Sequence, residues 1–252
     1  MISCKLAYAG EGMWLPIFLK SLNEAEMKSM GMKISAEDIY SVNKGSLKDA
    51  VCQFGGGCTG EIISSQGLLL TNHHCGYSYI QGHSNMEHNY LKEGFWAKDK
   101  SDELPCSGLS IMLISRMEDV TSQALQGVTP AMNESERKIQ TDKNIVDIQK
   151  SIRKENWEDV FIRSFYNGNQ FFAFVTVTYK DIRLVGTPPE SIGKFGADTD
   201  NWVWPRHTGD FSIFRIYAGP DNLPAAYSTS NKPYTPKHFL PVSMDGVAEG
   251  DF

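Results

Sequence analysis

A chain of 252 residues, 41% hydrophobic and 21% charged with a net charge of −6, is long enough for one large or two smaller cored domains. Its acidic balance argues against a phosphate-binding face, so nucleic acid is not an expected partner. Nowhere does an apolar run approach the roughly 18 residues that a membrane span requires.

The opening, MISCKLAYAGEGMWLP, has no charged segment followed by a full apolar one, so it is not a complete signal peptide. It is compatible with the remainder of one, cut near AYA before Gly10, and Cys4 then reads as an ordinary thiol. Residues 15 to 50 read as helical. Ser21 with Glu24 is a candidate cap and Gly31 a stop, and Ser35 with Asp38 repeats the same grammar as a capping box.

From Cys52 the texture changes to three consecutive glycines and short β-branched runs. The segment CTGEIISSQGLLLTN predicts an antiparallel hairpin, with arms over 58–63 and 68–72 and a turn over 64–67. GLSIMLISRMEDVT predicts a buried strand. Residues 131–165 are charged and predict a solvated helical insertion. QFFAFVTVTYKDIRLVGTPP and GDFSIFRIYAG return to strand-like alternation. Together these predict a mainly β protein, a barrel or sandwich with helical decoration. The ending, HFLPVSMDGVAEGDF, reads as the lead into a further strand, which makes the chain look like the N-terminal piece of something longer.

The chemistry concentrates in TNHHCGY, where His73, His74 and Cys75 follow an apolar run. A zinc site needs three or four convergent ligands, and adjacent side chains on a strand diverge, so a metal reading is disfavoured. A histidine where a strand opens into a loop suits a general base, held rigidly and able to reach a serine hydroxyl. Such a base needs a carboxylate to hold its tautomer. Asp210, entering an apolar strand in HTGDFSIFRIY, is the candidate, although a plain turn aspartate would look the same.

The run TNHHC resembles the TAAHC pattern of chymotrypsin-like peptidases. That resemblance implies that His74 is the base, His73 a supporting residue, and Cys58 and Cys75 a disulfide, with two packed thiols as the alternative. The long segments FGGGCTGEIISSQGLLLTNHHCGY and DNWVWPRHTGDFSIFRIY, with EGMWLP, resemble more specifically the bacterial dipeptidyl-peptidase 7 and dipeptidyl-peptidase 11 family (serine peptidase family 46). The similarity runs from about residue 10 to 252. It implies a chymotrypsin-like β-barrel domain with helical insertions, incomplete here, and release of dipeptides from the free N-terminus of oligopeptides.

By the same resemblance His74 and Asp210 are catalytic, and Asn201 with Trp202 bind the substrate's α-amino group. Asp198 and Asp200 would add negative potential, and Trp204 and Pro205 read as packing. No metal or organic cofactor is implied. The partner is an oligopeptide, a homodimer is allowed, and the compartment is the periplasm or surface of a Gram-negative bacterium.

One part is missing from the pattern. After Asp210 the serines are Ser212, Ser228, Ser230 and Ser243, none followed by glycine, and the lone Ser107-Gly108 pair reads as a loop. The resemblance implies that the nucleophile belongs to a later part of the family's chain, and this piece alone is expected to be inactive. The competing reading is a non-catalytic peptide-binding β-domain or an inactive remnant. Cys52 and Cys106 are left without an assigned pairing.

Overall fold

The computed structural model describes residues 14–196 and 207–251. Its strands in chain order are β1 (Val51–Phe54), β2 (Cys58–Ile62), β3 (Leu68–Thr71), β4 (Phe95–Trp96), β5 (Leu104–Pro105), β6 (Ile111–Asp119), β7 (Glu158–Phe165), β8 (Gln170–Tyr179), β9 (Asp181–Thr187), β10 (Ser212–Ala218) and β11 (Lys232–Pro233). They form a single sheet in the order β4-β9-β10-β3-β2-β1-β6-β8-β7, with β5 on β9 and β11 on β10. Every ladder is antiparallel. The molecule is thus mainly β with helices attached, as the sequence predicts.

The predicted hairpin is β2 and β3, and its turn depends on Gly67. That residue has φ +65°, and a Cβ there would stand 2.9 Å from the carbonyl oxygens of Ile216 and Tyr234. Only glycine satisfies both constraints without strain. β3 then pairs with β10 in the register Thr71↔Ser212 to Leu68↔Arg215. This ladder joins segments distant in sequence and brings Asp210, two residues before β10, alongside the residues that follow β3.

Alternation along the strands sends one face into a common core. Cys52, Phe54, Ile62, Leu69, Ile111, Ile182, Leu184, Phe214 and Ile216 are all buried there. Phe54 and Phe214 meet with ring centroids 4.9 Å apart. At about 1.5–3 kcal/mol for each large side chain removed from water, this cluster is the main stabilising element. Buried charge in the same region is paired: Glu103 accepts from Arg215 Nε and from the Tyr217 hydroxyl, each at 2.8 Å.

The insertion is only partly the helix that its charge suggests. A helix occupies Glu134–Ser151, opened by a capping box between Asn133 and Glu136, and only Thr141 and Ile148 on it are buried. Glu158–Phe165 is instead β7, paired with β8 from Glu158↔Val177 to Phe165↔Gln170. The turn is Tyr166-Asn167-Gly168, all at positive φ. An Asn-Gly step between two runs is a strong hairpin signal, and here it outranks the charged texture of the preceding residues.

At the N-terminal side the Ser35–Asp38 capping box forms as predicted, and Gly31 sits at φ +114° at the end of its helix. Ser21 differs from expectation: it lies inside the helix Leu19–Leu22 and its hydroxyl donates to the Phe18 carbonyl. Cys52 and Cys106 are buried free thiols. Burial pushes both up to about 12, so they stay protonated and pack as small hydrophobes.

Candidate active site

β3 ends at Thr71, Asn72 is extended, and a helix begins at once over His73–His83. The predicted loop after the strand is therefore the first turn of a helix. Successive residues of a helix point about 100° apart, which separates the fates of the two histidines. His73 is fully buried, whereas the His74 side chain is 65% exposed. Cys75, next in line, is bonded to Cys58 on β2, with Cα atoms 6.1 Å apart. The start of the helix is thus tied to the sheet by both the chain and a covalent bridge.

Asp210 meets His74 through two contacts. Its Oδ1 accepts the His74 backbone N–H at 3.0 Å, and its Oδ2 lies 2.6 Å from His74 Nδ1. An ionised carboxylate only accepts, so Nδ1 carries the hydrogen and Nε2 is left with its lone pair. That is the tautomer a general base requires, with the imidazole held by a neighbouring carboxylate.

Two residues that sequence reasoning did not assign complete the arrangement. The Asn72 side-chain amide donates to the Asp210 carbonyl at 3.2 Å and to Oδ2 at 3.3 Å. The hydroxyl of Ser212, which is fully buried, donates to the Asn72 carbonyl at 2.8 Å. A Cβ at Gly76 would stand 2.7 Å from that hydroxyl, so glycine makes room for it beneath the helix. The sequence carries no local signal for this set, because β3 and β10 meet only in the folded sheet.

His73 points the other way. Neither ring nitrogen has a hydrogen-bond partner among the described residues. The ring packs so closely on Gly193 that a Cβ there would stand 2.4 Å from its Cγ and Cδ2, and it meets Tyr77 edge-on with centroids 6.0 Å apart. Burial holds its pKa below the ordinary histidine value; Asp210 and Glu190 oppose that shift, while His74 and Lys194 add to it.

Cys58, His74 and Cys75 have potential ligand atoms within 4.8 Å of one another. The disulfide consumes both sulfurs, leaving one imidazole, which does not fit a metal centre. Asn201 and Trp202, with Asp198, Asp200, Trp204 and Pro205, lie outside the described residues. The later serines have other partners: Ser228 and Ser230 share a hydrogen bond of 2.8 Å, and the Ser243 hydroxyl accepts the Asp245 backbone N–H at 3.2 Å. Ser107 is exposed in the turn after β5. Among the described residues, no serine hydroxyl is hydrogen-bonded to the His74 ring.

The chain is 58% identical over 241 residues to the Asp/Glu-specific dipeptidyl-peptidase of Flavobacterium psychrophilum, covering 96% of this chain and 34% of that protein. With the Dipeptidyl-peptidase 7 of Capnocytophaga gingivalis it is 51% identical over 244 residues, 97% of this chain and 34% of the relative. The crystal structure of Porphyromonas endodontalis DPP11 in complex with substrate superposes with a TM-score of 0.83 at 45% identity, over 96% of this chain and 36% of that one. Its complex with the dipeptide Arg-Glu gives a TM-score of 0.82 at 45% identity over the same shares. The chain spans about a third of the length of these relatives. Residues 9–252 match the Peptidase S46 family, and the chain belongs to it.

Proposed function

We propose that this chain supplies the base and its carboxylate to a serine dipeptidyl-peptidase of chymotrypsin-like fold, which releases dipeptides from the free N-terminus of oligopeptides. The observation that carries the reading is the 2.6 Å contact between His74 Nδ1 and Asp210 Oδ2, backed by the His74 N–H on Oδ1. In this scheme His74 Nε2 takes the proton of a serine hydroxyl as its oxygen attacks the scissile carbonyl. Asp210 stabilises the imidazolium, and the proton then passes to the leaving amine.

The serine is supplied by polypeptide outside the described residues, so this stretch alone hydrolyses nothing. Asn201 and Trp202 hold the substrate's α-ammonium, the amide oxygen by accepting a hydrogen bond and the indole by its π face. The reaction written this way uses no metal or organic cofactor. The Cys58–Cys75 disulfide supports an oxidising compartment, and we assign the protein to the periplasm or cell surface of a Gram-negative bacterium.

A second reading is favoured by one observation, the lack of a serine at the His74 ring among the described residues: a peptide-binding domain without catalysis. The test uses the intact protein that carries this chain, with dipeptidyl reporters bearing free or blocked amino termini and an acidic or apolar second residue. Cleavage confined to free-amino reporters and lost in His74→Ala is the expected result. Equal cleavage of blocked reporters would remove the exopeptidase claim, and tight peptide binding without cleavage would install the second reading. The acidic and apolar arms assign the residue preferred before the cut.

A further inference from the structure

We propose that Asn72 is a positioning residue that sets the basicity of the His74–Asp210 pair, an inference that rests on the reading of that pair as catalytic. Asn72 precedes the helix and is of a type that favours capping, yet its side chain caps nothing. The amide is turned instead onto Asp210, reaching both its carbonyl and its Oδ2. Oδ2 is also the oxygen that His74 Nδ1 approaches. One carboxylate oxygen is therefore shared between the imidazole and an amide N–H.

A second hydrogen bond at this oxygen has a definite consequence. It draws electron density from Oδ2 and makes it a weaker acceptor for the imidazolium. The base then gives up its proton more readily and is free at lower pH.

Asn72 is itself held by its surroundings. Its carbonyl accepts the buried Ser212 hydroxyl at 2.8 Å, and the neighbouring residues Thr71 and Ser212 are register partners in the sheet. The alternative role, capping the helix N-terminus, would leave the Asp210 carboxylate without this donor. Geometry assigns the amide to the carboxylate.

The experiment is the pH profile of kcat/KM for the intact peptidase on a free-amino dipeptidyl reporter, comparing wild type with Asn72→Ala and Asn72→Asp. The second variant keeps the size of the side chain but cannot donate when ionised. Asn72 also fixes the direction of the carboxylate by bonding both its carbonyl and Oδ2, and losing that orientation should lower kcat by about tenfold in Asn72→Ala, outweighing the added basicity. The acid limb should move to higher pH in both variants, further in Asn72→Asp because its charge adds to that of Asp210. KM should change little. A variant that merely folded poorly would lower the active fraction at every pH without moving the limb, and an unmoved limb in both variants overturns the proposal. His74→Ala and Asp210→Asn, run beside them, separate the two levels: activity retained in these rejects the catalytic reading itself, whereas activity lost here with wild-type profiles at Asn72 rejects only the role of Asn72.

Discussion

The sheet has two halves that are built differently. Around β1–β3, β9 and β10, seventeen described residues form one buried cluster, and the disulfide and the β3–β10 ladder tie the site to it. Beyond β6 the helix Glu134–Ser151 contributes Ile148 to a buried cluster of five with Val120, Ala124, Phe171 and Ala173. The first half holds atoms that must keep a hydrogen-bond geometry, so it is fastened from several directions. The second fills a long connection between sequence segments that meet at the site, and a surface helix with one narrow apolar stripe is enough for that. Damage to the first should therefore reach the chemistry, and damage to the second should stop at stability.

The largest effect is expected in the site-bearing half, from Asp210→Asn in the intact peptidase. It should lower kcat/KM by about 10⁴-fold, since the wrong tautomer of His74 is then favoured, while the melting temperature changes little because His74 is mostly exposed and Asp210 only part-buried. Activity within tenfold of wild type would undo the assignment.

Next in size is removal of the bridge by Cys58→Ser with Cys75→Ser. The closed loop has a sequence separation of 17, so about 3 kcal/mol should be lost in urea unfolding. The start of the helix should also loosen, with a fall in kcat per folded molecule. A normal kcat in the folded fraction would show that the sheet alone positions His74.

Ile148→Ala tests the other half. The residue is buried in the smaller cluster, and truncation should cost about 2–3 kcal/mol by denaturant titration. Turnover per folded molecule should be unchanged, and a drop there would mean that the insertion helix communicates with the site.

The smallest effect is that of pH on His73. Its pKa is lowered in the fold by burial, so between the unfolded value near 6.5 and the lower folded value the unfolded chain binds more protons. Stability is complete above that window and falls as pH drops through it, by at most about 1.4 kcal/mol per pH unit. His73→Leu should flatten this dependence, read as the difference between urea midpoints at pH 7.5 and 5.5. An unchanged difference would move the source of acid sensitivity elsewhere.

Much of the site-bearing half is legible in the residue order. The alternation in CTGEIISSQGLLLT and its Gly67 turn locate β2 and β3 to within a residue, because a period of two with a glycine-bearing turn has few alternatives. The helix at His73 is not legible in this way. HHCGYSYIQGH carries two glycines and buries His73, Gly76 and Ile80, of which only Ile80 is a large apolar residue, and its start is pinned at Cys75. β7 is hidden for a similar reason, since Asp159 and Arg163 face solvent on an edge strand, Glu158 is buried, and the pairing with β8 decides its state.

Residue order alone established the mainly β class, the chemical types at the site, and through long motifs the family. Those are properties of residue order and short-range periodicity, which the chain carries wherever it folds. Folding in three dimensions settled which of two adjacent histidines faces solvent, that Asp210 presents both oxygens to His74, and that Asn72 turns from the helix to the carboxylate. These depend on the register of β3 against β10, two segments far apart in the chain. Register is fixed by packing the whole core at once, and no local window of sequence contains it.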